Sequence, residues 1–298
     1  MKELLKEQLP VSNLTIKYSA IKTTLNILIN TLCLCSFAVF AQIPDFKLSG
    51  EIEQGALVLG KTLPNNTVTF DNKTLPLTIQ GDFVFGFSRD DKNAHELTIT
   101  NSKGEKATKV LTPKNRQYRI QRITGIAKKI MNPNTKAIDR IKKDNIKIAQ
   151  ARSTKSDLSS FSQGFIAPNN GQITGVYGSQ RVFNGIKKRP HFGLDFAAKK
   201  GDPVKAPADG IVTLFEPNMF YSGGTLLIDH GHGISSSFLH LSKSYVKKGD
   251  KVFKGQKIAE VGSSGRATGP HLDWRINWFK IRLDPALVLK VKPLKVIP

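Results

Sequence analysis

Gly201-Asp202-Pro203-Val204 runs into Ala208-Asp209-Gly210-Ile211-Val212, and further on Gly249-Asp250-Lys251-Val252 runs into Gly255-Gln256-Lys257-Ile258-Ala259. Each copy is a Gly-Asp turn feeding a strand, then a tight Gly turn and a second strand. Gly, Pro and β-branched residues dominate the surrounding segment, 163–298, and helical periodicity is weak, so it reads as mostly β. The echo is an internal repeat within that β segment.

Five of the six histidines lie between His191 and His271. The first motif is Pro190-His191-Phe192-Gly193-Leu194-Asp195. A straight strand would hold the α-carbons of His191 and Asp195 about 13 Å apart, so sharing an ion needs a bend or bulge, and Gly193 is the place for one. The last motif is Gly269-Pro270-His271-Leu272-Asp273-Trp274. On a strand His271 and Asp273 face one side together, with α-carbons about 6.6 Å apart. Between the two motifs, His240 sits in Ser237-Phe238-Leu239-His240-Leu241-Ser242. Taken alone it reads as a hydrogen-bonded core residue; taken with the other motifs it is the third corner of a site. Zinc catalysis needs three protein ligands, an open position and a group that handles protons. His191, Asp195 and Asp273 can supply the ligands, and His240 and His271 the proton chemistry.

These stretches resemble the lysostaphin/LytM-type zinc metallopeptidases, which cleave peptidoglycan cross-bridges. His191 and Asp195 match that family's His-x-x-x-Asp motif, and His240 its isolated strand histidine. Gly175-Val176-Tyr177-Gly178, residues 201–210 and Ile228-Asp229-His230-Gly231-His232-Gly233 are also similar, in order, across about 165–287. The resemblance implies a duplicated hybrid-motif β fold, one Zn2+ per chain, and a peptidoglycan endopeptidase, with D-Ala–diaminopimelate cross-links as the expected substrate.

Where that family reads His-x-His, this chain reads His271-Leu272-Asp273. Aspartate is a competent zinc ligand. However, one imidazole and two carboxylates make a dianionic set, which weakens the pull on bound water and the preference for zinc over harder ions. His230 or His232 is an alternative nitrogen ligand, although their Gly-rich turn reads more simply as structural. Two functional readings stand. In one, Asp273 ligates a working metal; in the other, the domain is a non-catalytic LytM-type peptidoglycan-binding adaptor, with a protein partner, or an activator of another wall hydrolase. Trp274 and Trp278 share a strand face, for core packing or for a groove. Arg181 and Asn184 border the first motif, and Asn184 can occupy the metal in a latent form.

Upstream, 42–112 reads as short strands punctuated by Pro64-Asn65-Asn66, Asp71-Asn72 and Gly81-Asp82, a small β-sandwich in which His95 is expected at the surface. Residues 113–162 read as a basic connector with an amphipathic helix. It starts at Pro133-Asn134-Thr135, carries Ile138, Ile141 and Ile148 on one stripe, and ends in a Ser-rich hinge. Lys17 and Lys22 before the apolar run Leu25–Ala41 read as a signal peptide over 1–41, or alternatively as an uncleaved anchor. Cleavage would remove both cysteines, Cys33 and Cys35, and leave no stable membrane insertion. The expected location is the periplasm of a Gram-negative bacterium.

Of 298 residues, 45 are Lys or Arg and 23 Asp or Glu, a net +22. With 39% hydrophobic residues the chain can bury real cores and is not a disordered polycation. Two cysteines exclude a disulfide scaffold and a multi-Cys zinc ribbon. Residues 103–155 hold sixteen basic and three acidic side chains, and 163–298 hold twenty and nine. The charge is concentrated behind and within the segment carrying the histidines. In an exported protein that charge suits the anionic cell wall, and nucleic acid is not expected as a partner.

Overall fold

The computed structural model describes residues 43–124, 135–154 and 156–295. The segments read as the signal peptide and as the start of the helix (Pro133-Asn134) lie outside them. The described residues are mainly β. Strands β1 (Phe46–Ser49), β2 (Leu57–Thr62), β3 (Thr67–Phe70), β4 (Lys73–Leu75), β5 (Asp82–Gly86), β6 (His95–Thr100) and β7 (Lys106–Leu111) make two antiparallel sheets, ordered β1-β2-β5 and β4-β3-β6-β7. Asp71 and Asn72 both take positive φ, 48° and 61°, which closes the β3–β4 hairpin in two residues. Between the sheets Phe70 stacks on Phe85 at 4.6 Å and meets Phe87 edge-on at 6.1 Å, a geometry aromatic pairs favour.

Strand β8 (Ile120–Ile123) pairs with β10 (Gln180–Phe183), which turns through Asn184-Gly185 into β11 (Ile186–Lys187); β9 (Ile173–Gly175) lies just before them. The large sheet also draws on β12 (Leu194–Ala197), β13 (Pro203–Lys205), β14 (Gly210–Met219), β15 (Gly223–Gly231), β16 (Ile234–Ser244), β17 (Lys251–Val252), β18 (Lys257–Val261), β19 (His271–Trp278) and β20 (Ile281–Leu283). Its main order is β17-β14-β15-β16-β19-β12-β9.

The internal repeat has a physical role in this sheet. The first copy supplies β13 and β14, the second β17 and β18, and each lends one strand to the other: β13 pairs with β18, and β17 with β14. The Gly-Asp turns behave alike. Gly201 and Gly249 take φ of 94° and 95°, a conformation that favours glycine. Asp202 and Asp250 accept from the amides of Lys199 and Lys247. Gly201 then donates to Val261 of the other copy, and Gly249 to Val212.

Helix α1 (Thr135–Arg152) lies against β14. Its contacts there are largely polar: Arg140 donates to the Asn218 carbonyl, Lys147 pairs with Glu216 at 2.8 Å, and Asp144 accepts from the Phe220 amide. The expected apolar stripe is therefore only partly covered, with Ile141 and Ile148 half-buried and Ile138 exposed. No helix of the described residues is long and apolar enough to cross a membrane. At the far end α2 (Pro285–Val288) is capped by Asp284, which also binds Arg116 at 2.8 Å. The two-sheet sandwich and the large sheet share one buried apolar core, with Trp278 edge-on to Phe70 at 6.3 Å.

His95 is more than a surface residue. Its two ring nitrogens reach Asp71 at 2.7 Å and Asp91 at 3.1 Å, and its side chain is 13% exposed. Burial opposes its charge, but the two carboxylates raise it above its ordinary value. The stabilisation is thus fully present below the unfolded value of about 6.5 and fades as pH rises through the higher folded one. Thermal melts of His95→Gln should show a larger deficit from wild type at acid than at alkaline pH; an equal deficit at both would refute the linkage.

Candidate metal centre

Antiparallel pairing of β12 with β19 sets Asp195 directly opposite Asp273, and β16 flanks β19 on its other side with Leu239 opposite Asp273. His191 precedes β12. The chain bends at Gly193, which returns His191 Nε2 to 3.2 Å from Asp195 Oδ1. One ligand atom from each of His191, Asp195 and Asp273 lies within 4.8 Å of the other two. Two glycines leave room for this convergence. A Cβ on Gly193 would sit 2.1 Å from Asp273 Oδ1 and 2.9 Å from the Trp274 carbonyl. On Gly175, paired with Asp195 on β9, it would sit 2.1 Å from Asp195 Oδ2. Neither approach is compatible with a side chain in place.

His240 and His271 face each other beside this group, ring centroids 4.8 Å apart. His271 shares a face of β19 with Asp273, as alternation requires. His240 has φ of +64°, an uncommon conformation for a non-glycine, and lies where the pairing of β16 with β15 shifts register between Phe238 and Leu241. Its Nδ1 lies 2.8 Å from the Ser264 carbonyl, and His271 Nδ1 lies 2.9 Å from the Gly269 carbonyl. A carbonyl only accepts, so both rings carry their proton on Nδ1 when neutral and keep Nε2 as a free base. Burial draws His240 below its ordinary value, which keeps it neutral near pH 7.

Arg275, which motif spacing alone did not single out, controls the electrostatics. It lies two residues beyond Asp273 on the same strand face, and its Nε and Nη2 donate to Asp273 Oδ1 and Oδ2 at 2.9 and 2.5 Å. Burial alone would raise the Asp273 carboxyl, but Arg275 and then His191 and His240 hold it down at about 2. Burial likewise opposes the charge on His191, and the Asp195 and Asp273 carboxylates overcome it and raise the imidazole above its ordinary value. The signal available in sequence was a cation at i+2 from a carboxylate on a buried strand.

The remaining candidates separate from this group. His230 is fully buried, with Nδ1 on the Asp209 carbonyl at 2.7 Å and Nε2 on Ser236 Oγ at 2.8 Å, and burial lowers it to about 4. His232 packs on the Phe161 ring. Both belong to the scaffold. Trp274 and Trp278 are core residues. Arg181 and Asn184 are exposed, Asn184 in the β10–β11 turn.

Residues 189–285 match Peptidase family M23. Over 98 residues, 32% of this chain, the sequence is 46% identical to the Peptidoglycan DD-endopeptidase ShyA of Vibrio cholerae. Over 91 residues, 30% of the chain, it is 43% identical to the DD-carboxypeptidase/endopeptidase Mpg of Neisseria meningitidis. The match spans only 23% and 21% of those two proteins. A crystal structure from Pseudomonas aeruginosa, described as a candidate M23 peptidase, superposes with a TM-score of 0.60 at 26% identity. That superposition covers 83% of this chain and 95% of the other. The chain carries a peptidase M23 domain, and the candidate ligand group of His191, Asp195 and Asp273 lies within the matched residues.

Proposed function

We propose that this protein is an exported, periplasmic zinc endopeptidase that hydrolyses peptide cross-links of peptidoglycan, at the D-Ala–diaminopimelate bond. The observation that carries the reading is the convergence of His191, Asp195 and Asp273 beside two histidines with free Nε2 atoms. The kinship with peptidoglycan DD-endopeptidases supports the substrate class.

The residues fit a divalent ion. His191 Nε2 and Asp195 Oδ1 are buried, face one another, and have no hydrogen-bond partner, a costly arrangement unless a cation lies between them. Asp273 keeps acceptor capacity beyond its two contacts with Arg275, since a carboxylate offers about four lone-pair sites. Charge supports the fit as well. Two carboxylates and the Arg275 guanidinium sum to −1, the charge of a set with one carboxylate and two imidazoles. Arg275 thereby offsets the extra anion that Asp273 brings in place of histidine.

An ion held by these three residues would supply Lewis-acid polarisation of the scissile carbonyl and a water acidic enough to attack it. The chain's own part is proton handling. His240, neutral and anchored through Nδ1, presents Nε2 as a general base, and His271 presents a second Nε2 on the same side. Either ring, once protonated, can stabilise the oxyanion or return a proton to the leaving amine. The basic charge of the connector and the M23 domain would hold the protein on the anionic wall, with salt-sensitive affinity.

Zinc-loaded protein incubated with purified sacculi should convert cross-linked dimeric muropeptides to monomers, and His191→Ala or a chelator should abolish the conversion. Persistence of the dimers under every divalent metal, with sacculus binding intact, would establish the adaptor function instead. Gly193→Ala should weaken zinc binding about tenfold or more in a competition titration, because its Cβ displaces Asp273. Unchanged zinc affinity in a folded variant would remove Asp273 from the ligand set.

A further inference from the structure

Four guanidiniums gather on one side of the ligand group. On β19, Asp273, Arg275 and Asn277 alternate onto one face. Opposite them on β16 stand Ser237, across from Arg275, and Ser235, across from Asn277. Arg152, the last residue of α1, reaches over β16 and donates from Nη2 to Ser237 Oγ at 2.9 Å. On the other flank Arg282 of β20 is paired in register with Asn277. Arg282 and Arg189 both lie over the ring of Phe192, at 5.9 and 5.6 Å.

Only one of these cations has a counter-ion. Arg275 is paired with Asp273, while among the described residues no carboxylate lies within ion-pair distance of Arg152, Arg189 or Arg282. The mutual repulsion is felt: burial, then Arg275 and Arg189, bring Arg282 down to about 10. Arg152 falls well below its ordinary value through burial and the other three guanidiniums. Two buried polar atoms here, Arg152 Nε and Ser235 Oγ, have no hydrogen-bond partner. Exposure is graded, from Arg189 at the surface through half-buried Arg275 and Arg282 to the sealed Nε of Arg152. Converged cations and unspent donors are costly unless an anion completes them.

We propose that Arg152, Arg189, Arg275 and Arg282 form a carboxylate-binding subsite beside the ligand group, which takes a free carboxylate of the peptide being cleaved. Guanidinium forks match a carboxylate in shape and charge. Arg275 spends Nε and Nη2 on Asp273, which leaves Nη1 for the ligand and places a bound carboxylate next to the reacting peptide bond. Naming a stem-peptide carboxylate as the ligand rests on the peptidoglycan reading above; the anion subsite does not.

The test uses the full-length protein stripped of metal by a chelator, with acetyl-D-alanyl-D-alanine and its C-terminal amide as probes in calorimetric titrations. The acid should bind about tenfold or more tightly than the amide. Its advantage should shrink at high salt and vanish in Arg189→Ala and Arg282→Ala. Melting curves and zinc content of these variants report whether fold and ligand group survive. Equal binding of acid and amide to the wild type would overturn the subsite, as would an acid preference that both variants retain. If the acid preference holds while the zinc-loaded protein leaves sacculi uncleaved, the subsite stands and the endopeptidase reading falls.

Discussion

Two carboxylates face each other across neighbouring strands at the centre of this molecule, and the rest of the site is arranged around their repulsion. Asp195 and Asp273 are directly paired, one half-buried and one almost fully buried. Like charges directly opposite on a sheet are destabilising, and burial makes both more expensive. The chain offsets them with Arg275, forked onto Asp273, and with His191, bent back at Gly193 onto Asp195. Arg275 is bonded in place, whereas His191 and Asp195 approach closely without completing a hydrogen bond. The unfinished half of the arrangement is therefore where a divalent ion gains most, and the finished half holds Asp273 still.

Such a site demands a rigid frame, since ligand atoms must converge within a few tenths of an ångström of productive geometry. The duplicated unit supplies it. Because each copy lends a strand to the other, neither half of the sheet can open alone without breaking pairing in both. The central strands β15 and β16 are buried almost throughout, including the serines that a solvent-facing sheet would expose. Glycine does the remaining work at two positions, Gly175 and Gly193, by leaving the space that the carboxylates occupy.

Much of this was legible in the sequence. The Gly-Asp echo and the β-rich composition announced a repeated β unit, and the spacing of His271 and Asp273 placed both on one strand face. The bend that rescues His191 was legible too, because a straight strand cannot join it to Asp195 and Gly193 is the residue that allows otherwise. What escaped were interactions between segments distant in the chain. The role of Arg275 depends on the burial of the face it shares with Asp273, and the alternation of Asp273, Arg275 and Asn277 with Trp274 and Ile276 reads equally well as a solvent-facing side. His95 looked like a surface residue because its partners, Asp71 and Asp91, are brought to it by a hairpin and a loop. The isoleucines of α1 promised an apolar stripe, but the helix meets the end of β14 through Arg140, Asp144 and Lys147, whose partners are the Asn218 carbonyl, the Phe220 amide and Glu216.

The net charge of the chain divides accordingly into two physically different populations. Between 163 and 298 there are fifteen lysines and five arginines. Lysines crowd the two repeat turns, at 199–200, 247–248, 251 and 254, all of them exposed. Three of the five arginines, 189, 275 and 282, instead lie beside that group, where the helix adds Arg152. A lysine is a mobile, strongly hydrated point charge suited to loose adhesion, whereas an arginine presents a planar fork whose order costs less per hydrogen bond. If +22 served only to attract an anionic polymer, lysine would do everywhere. The gathering of arginine beside the candidate ligand group argues that charge there is used for geometry, to hold Asp273 in place and, in the proposed subsite, a carboxylate next to it.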